Sequence, residues 1–559
     1  MIYKSCVSWL RFVVMLLLWG ESATTSFGQV WQWSVPVQEV VSPETNDHPR
    51  AFLWIPPQCK QVRAVVVGQH NMLEEGVLEH PEFRAELARL GIAEVWVTPG
   101  INVVFDFQHG AGEQFEGMMQ ALAAASGYQE LAEAPVVPIG HSALASYPWN
   151  FAAWNPGRTL AIISLKGDAP LTNLTGSGRP NPDWGSRTID GVPALMVIGE
   201  YEWMEARMAP ALTYRTQHPA APISLLVDAG HGHFDFSDPL IEYLNLFLRK
   251  AVAQRLPIRT TIGKPGLLTP IDPTQGWLGD RWRPDAPPQA PAAAFAAYTG
   301  KVPEAFWYFD QEMAAATEQH YARMRGKQPQ LLGFVQDGKS LPQTETHQQI
   351  NLRFTPLADG MSFRVSSVFL DSVPAGSPNP PRWTHLPVGA PLTHAPGPVA
   401  VSRITGPVVQ TGPDTWAIQF YRMGLDNPRR SNDIWLLASH PGDARFKSAV
   451  QQANLRFPLQ NKEGAAQHIT FPPLANVKAK RLKHSTVPLA ATSDANVPVH
   501  YYVQEGPVEL KGNSLIFSEV PPRAKFPVKV TVVAWQYGRG HEPKLQTATP
   551  VLQTFYITK

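Results

Sequence analysis

The run Gly140-His141-Ser142-Ala143-Leu144 carries the sharpest chemical signal in the chain. A serine where a buried strand turns tightly into a helix projects its Oγ from the end of a sheet, and the amide that follows it can meet a developing oxyanion. Ser142 is therefore a candidate nucleophile, and the Ala143 amide a candidate oxyanion donor. Such a serine needs a base, and the base needs a carboxylate to orient it. His231 and His233 alternate with glycine in Asp228-Ala229-Gly230-His231-Gly232-His233-Phe234-Asp235, and Glu200, Glu202 and Glu205 follow another apolar run. His233 is preferred as base, because Gly230 and Gly232 free its approach and Phe234 can re-enter a packed layer; His231 is the alternative. His231, His233 and Asp235 also alternate as metal ligands on one strand face would. No further ligand cluster joins them at recognisable spacing, and Gly232 favours a loop, so no metal is expected. No G-x-G-x-x-G follows a strand, so no nucleotide or other cofactor is expected either.

These residues need a frame. RAVVVGQHN (63–71), AEVWVTPG (93–100), PVVPIGHSA (135–143), LAIISLKGDAP (160–170), ALMVIGEYE (194–202) and ISLLVDAGHGHF (223–234) are apolar runs of the kind buried on both sheet faces. Between them, PEFRAELARLG (81–91) and EQFEGMMQALAAA (113–125) have helical spacing, and PLIEYLNLFLRKAVAQ (239–254) closes the series as an amphipathic helix. WQWSVPV (31–37) and AFLWIPP (51–57) read as an opening hairpin. Repeated β-α units of this kind predict a mainly parallel sheet covered by helices over residues 29–256.

With its serine at a strand-to-helix turn, this region resembles the α/β-hydrolase superfamily, GHSA standing as the nucleophile elbow. The resemblance implies the chain order serine, acid, histidine. It places the acid at the fourth position of Gly-Glu-x-Asp, here Glu202 in Gly199-Glu200-Tyr201-Glu202, with Glu200 as alternative. It draws the second oxyanion donor from the loop Gly68-Gln69-His70-Asn71-Met72, which points to Gln69 or His70 and leaves the Asn71 side chain for substrate. His141, Tyr147 and Trp149 join Asn71 as expected substrate contacts. Two departures stand out: Leu144 replaces the usual second glycine of the elbow, and the His-Gly-Gly form of the oxyanion loop is absent. The expectation is a Ser142–His233–Glu202 serine carboxylesterase. The rival is a non-catalytic glycan-binding or scaffold protein that keeps the hydrolase fold.

Composition narrows the substrate and the setting. The 559 residues carry 47 basic and 46 acidic side chains with no block of one sign, which argues against nucleic acid. The near-neutral chain, with its 17 tryptophans, favours an uncharged small-molecule or polysaccharide ester. Lys4 and Arg11 precede an apolar run, Phe12 to Trp19, and small residues lead to Gly28: the pattern of a secretory signal cleaved near Gly28. The run is short of the ~20 apolar residues of a membrane span, so a periplasmic or secreted protein without a span is expected. Proline, at 54 residues, is nearly twice the usual ~5% and concentrates in a connector and in the C-terminal half. Residues 257–329 read as that Pro-rich connector plus a helix over 304–324, residues 330–465 as a β-sandwich-like domain, and 466–559 as a β-sandwich resembling Ig-like modules.

Overall fold

The structure is a computed structural model, and it describes residues 30–102, 104–173, 180–202, 205–257, 266–345 and 348–559. The expected signal segment, 1–28, lies outside the described residues.

Eight strands form the first sheet: β1 (Trp33–Pro36), β2 (Arg50–Trp54), β3 (Ala64–Gln69), β4 (Ile92–Thr98), β5 (Val136–His141), β6 (Ile162–Leu165), β7 (Ala194–Gly199) and β8 (Ile223–Asp228). Their order is β1-β2-β4-β3-β5-β6-β7-β8. β2 pairs antiparallel with both β1 and β4, while every pairing from β4 through β8 is parallel. Among the described residues six helices accompany it: α1 (Glu74–Leu78), α2 (Pro81–Leu90), α3 (Gly112–Ser126), α4 (Ser146–Trp154), α5 (Glu205–Gln217) and α6 (Asp238–Arg255). Each parallel strand buries both faces, which is why the sequence shows unbroken apolar runs there. Val66 and Ile139 face a core with Phe83, Leu87, Leu244 and Phe247, whereas Val65 and Val67 face Phe115, Met119 and Leu122 on the other side.

The described part of the connector carries a strand as well as a helix. Its segment 304–324, expected to be one helix, divides: Ala305–Tyr308 is a strand paired with Trp277–Asp280, and only Gln311–Ala322 is helical (α7), capped by Asp310. Trp307, Phe309 and Met313 join the first core, and the Ser224 Oγ and Tyr308 hydroxyls donate to the carbonyls of Trp307 (2.6 Å) and Leu225 (2.9 Å). Continuous aromatic residues pack as a strand beyond β8, and the helical period begins after Asp310.

Two all-β units follow. The first sets the sheet of Ile350–Arg353, Ala449–Arg456, Asp433–His440 and Ala400–Thr405 against shorter strands, around Phe334, Phe363, Trp416 and Leu436. The last sets Val477–Lys478, Val551–Thr558, Val528–Trp535 and His500–Glu505 against a three-stranded sheet. It packs on the α/β unit through Arg523, which pairs with Glu130 at 2.7 Å, and through the Lys525 amide on the Ser126 carbonyl (2.8 Å). The middle unit sits on the sheet edge from which the loops after β3, β7 and β8 emerge. Arg430 donates to the Asn71 carbonyl (3.0 Å), Ser448 Oγ to the Gly230 carbonyl (2.9 Å), and Trp435 lies tilted against Phe234 with ring centroids 5.2 Å apart. Among the described residues no helix is long and apolar enough to cross a membrane.

Candidate active site

Three chain segments far apart in sequence meet at the C-terminal ends of β5, β7 and β8. Ser142 follows β5 directly and has φ +53°, the left-handed region that costs a side-chain-bearing residue of order 1–3 kcal/mol. The turn that imposes it also imposes Gly140: a Cβ there would lie 2.4 Å from the Leu144 carbonyl oxygen. The close approach is thus made by the Leu144 backbone. Its side chain points toward Gly100, so leucine is tolerated where a glycine was expected.

The loop after β8 brings His233 over the serine, with Nε2 2.7 Å from Ser142 Oγ. Its Nδ1 meets Glu202 Oε2, which the short 3-10 turn after β7 delivers. That turn and the histidine loop touch backbone to backbone, since a Cβ on Gly199 would fall 2.4 Å from the Gly232 carbonyl oxygen. Glu202 also accepts from the Gly199 amide (3.0 Å) and from Arg207 Nη1 (2.7 Å). Burial pushes its carboxyl up, but His233, Arg207 and Lys166 outweigh burial and hold it well below the usual carboxylate range. The carboxylate is ionised wherever an imidazole titrates.

The alternatives are engaged elsewhere. Glu200 pairs with Lys447 of the middle unit (2.6 Å) and accepts the Gly230 amide (2.7 Å). Glu205, on α5, pairs with Arg281. His231 Nδ1 lies 2.5 Å from Asp235 Oδ2. The trio weighed as metal ligands is split, with His233 turned to the serine. Asp228, His231 and Asp235 do converge, with ligand atoms within 4.8 Å of one another. All four carboxylate oxygens there already take a donor. Asp228 receives Lys166 Nζ (2.8 Å) and His320 (3.2 Å), and Asp235 receives His231 and the Gly232 amide (2.8 Å). Lys166, fully buried, already supplies a cation to this cluster.

The oxyanion and substrate expectations need correction. The His70 amide donates to the Val97 carbonyl (2.8 Å), within the sheet, and Gln69 is fully buried in β3 opposite Val97. Neither backbone amide opens on Ser142, and the amides of Asn71 and Met72 both donate to Glu74 Oε2 (3.1 and 3.0 Å). Ala143 is half-buried and follows the serine directly. Tyr147 and Trp149 are buried in the core, Trp149 donating to the Asp168 carbonyl (2.9 Å), so neither is a substrate platform. His141 is fully buried, and the Asn71 side chain donates to the His141 carbonyl (2.9 Å). The residues that the sequence reading missed are Glu74, Arg207 and the middle unit's Arg430. Glu74 and Arg207 have partners close in sequence as well, in Asn71, Met72 and Glu202, whereas Arg430 meets Asn71 only through the fold.

A parallel sheet ordered 1-2-4-3-5-6-7-8 with the second strand reversed, and a strained serine after the fifth strand, define the α/β-hydrolase fold. No family model and no curated protein matches the chain. Solved structures that resemble it include an S-formylglutathione hydrolase from Agrobacterium tumefaciens, at 16% identity over 39% of this chain and 94% of that one, with TM-score 0.28. Others are a dienelactone hydrolase from Anabaena variabilis (16%, 41% and 99%, TM-score 0.27) and a soluble variant of monoglyceride lipase from Saccharomyces cerevisiae (14%, 40% and 98%, TM-score 0.26). Likenesses this low carry no function across, and the fold stands on the strand order.

Proposed function

We propose that the protein is a serine hydrolase of the carboxylesterase type. One observation carries the reading: Ser142 Oγ lies 2.7 Å from His233 Nε2, whose other nitrogen faces an ionised, buried glutamate. In this reading Ser142 Oγ attacks the ester carbonyl while its proton passes to His233 Nε2. Glu202 stabilises the resulting imidazolium, and the Ala143 amide receives the oxyanion. The imidazolium returns the proton to the leaving alcohol as the C–O bond breaks. Water, deprotonated by His233, then releases the acid and frees Ser142.

The balance of charge favours an uncharged ester. A carbohydrate-linked alcohol stays within the proposal, although Tyr147 and Trp149 no longer support it. Export through residues 1–28, and an Ig-like relationship of the last β unit, belong to the same reading. Hydrolysis of p-nitrophenyl acetate tests it: the wild-type chain turns over and Ser142→Ala and His233→Ala do not. Activity that survives Ser142→Ala and disappears with a chelator would point to metal chemistry instead.

A further inference from the structure

His141 precedes the nucleophile, yet its side chain is 0% exposed and cannot touch substrate. Its Nε2 lies 2.9 Å from the carbonyl oxygen of His233. A carbonyl only accepts, so Nε2 carries the hydrogen and donates it. Burial and the neighbouring His233 keep the His141 imidazole neutral, which leaves Nδ1 as an acceptor facing Asn71 Nδ2 at 3.2 Å. The same Asn71 amide donates to the His141 carbonyl at 2.9 Å. From the other side, the buried Glu74 takes the His141 amide on Oε1 (2.7 Å) and the Asn71 and Met72 amides on Oε2 (3.1 and 3.0 Å).

These bonds join three segments by polar contacts: the loop after β3, the elbow after β5 and the histidine loop after β8. We propose that His141, held by Glu74 and Asn71, is a positioning residue that fixes the backbone of His233 relative to Ser142; this rests on the serine-hydrolase reading above. The Nε2–H of His141 pins the His233 carbonyl, and thereby the imidazole 2.7 Å from Ser142 Oγ. A neutral ring is also the right neighbour, since its centroid lies 5.0 Å from that of His233, which must become a cation during acylation.

The test uses the full chain with p-nitrophenyl acetate and a fluorophosphonate probe. His141→Phe keeps a ring but loses the donor, whereas His141→Gln places an amide N–H near the same carbonyl. For His141→Phe, kcat and the labelling rate are expected to fall by about 10²-fold with KM within about twofold, the scale of an ångström of misplacement. His141→Gln is expected to recover to within about fivefold of wild type, roughly one hydrogen bond's worth of imperfection. Asn71→Ala, at a half-buried loop position, tests the proposal should the Phe variant not fold: kcat falls with KM unchanged. The inference is overturned if His141→Phe keeps wild-type kcat, if His141→Gln does no better than His141→Phe, or if Asn71→Ala raises KM alone. A wild-type chain that neither turns over nor labels would instead sink the hydrolase reading, so the two failures are distinguishable.

Discussion

Replacing Glu202 by glutamine probes the proposed chemistry while keeping its shape. The carboxylate now accepts on both oxygens, from the Gly199 amide on one and from Arg207 and His233 on the other. A carboxamide has one acceptor oxygen, so either Gly199 or the Arg207–His233 pair must face an NH2 group. With the oxygen kept on Gly199, the NH2 meets His233 Nδ1, and the imidazole must switch tautomer to accept from it. Nε2 then carries the hydrogen and cannot take the proton of Ser142. The comparable change in Ser-His-Asp enzymes lowers kcat by about 10⁴, roughly 5 kcal/mol at 1.36 kcal/mol per decade. Among the described residues, buried Arg207 then keeps the ion pair with Asp168 at 3.8 Å, so Tm falls as well. Burst kinetics with p-nitrophenyl acetate separate the two effects, since misfolding shrinks the burst amplitude and a lost base slows its rate. Glu200→Gln is the control, expected within about threefold of wild type because Glu200 serves Lys447 and Gly230. Glu202→Gln retaining more than a tenth of wild-type kcat would refute the assignment.

Four further outcomes are expected. Ser142→Gly should be more stable than Ser142→Ala by about 1 kcal/mol in urea unfolding, because both lose the hydroxyl and only glycine relaxes φ +53° without cost. Burial draws His231 down, but Asp228 and Asp235 outweigh it and lift its pKa to about 9. A pKa raised above the unfolded ~6.5 contributes stability that is complete below pH ~6.5 and lost as pH rises through about 9. Urea titrations should therefore show wild type losing on the order of 1–3 kcal/mol relative to His231→Gln across that window. Arg422→Ala removes a buried guanidinium that pairs with Glu75 and, at 2.6 Å, with Glu79, beneath the joint between the α/β and middle units; about 2–4 kcal/mol of stability should go with it, measured by thermal unfolding. N-terminal sequencing of the exported protein should begin near Gln29, and a retained Met1 would contradict export.

Local pattern carried much of the architecture. Strands β3 to β8 are legible because burial on both faces leaves unbroken apolar runs. The elbow is legible because Gly140 and Ser142 answer a purely local turn. The order implied by the resemblance narrows the set to Ser142, a glutamate after β7 and a histidine after β8; the Gly-Glu-x-Asp position and the flanking glycines then favour Glu202 and His233, which lie together with Ser142 in the structure. What escaped depends on tertiary partners. Nothing local says that the His70 amide is already paired with Val97, or that Glu74 reaches across to the His141 amide. Tyr147 and Trp149 were expected to contact substrate because an aromatic-rich helix start reads the same whether it faces a cleft or a core. The 304–324 segment was misjudged because its helical half lent its period to an aromatic strand. The placement of the middle β unit over the catalytic edge rests on side chains such as Arg430 and Ser448, whose partners lie hundreds of residues away.

Peptide mapping of fluorophosphonate-treated protein tests the central claim most directly. The account predicts one stoichiometric adduct on the Ser142 peptide of the wild-type chain, slowed in Glu202→Gln and absent in Ser142→Ala. No adduct, or an adduct that persists in Ser142→Ala, would contradict it.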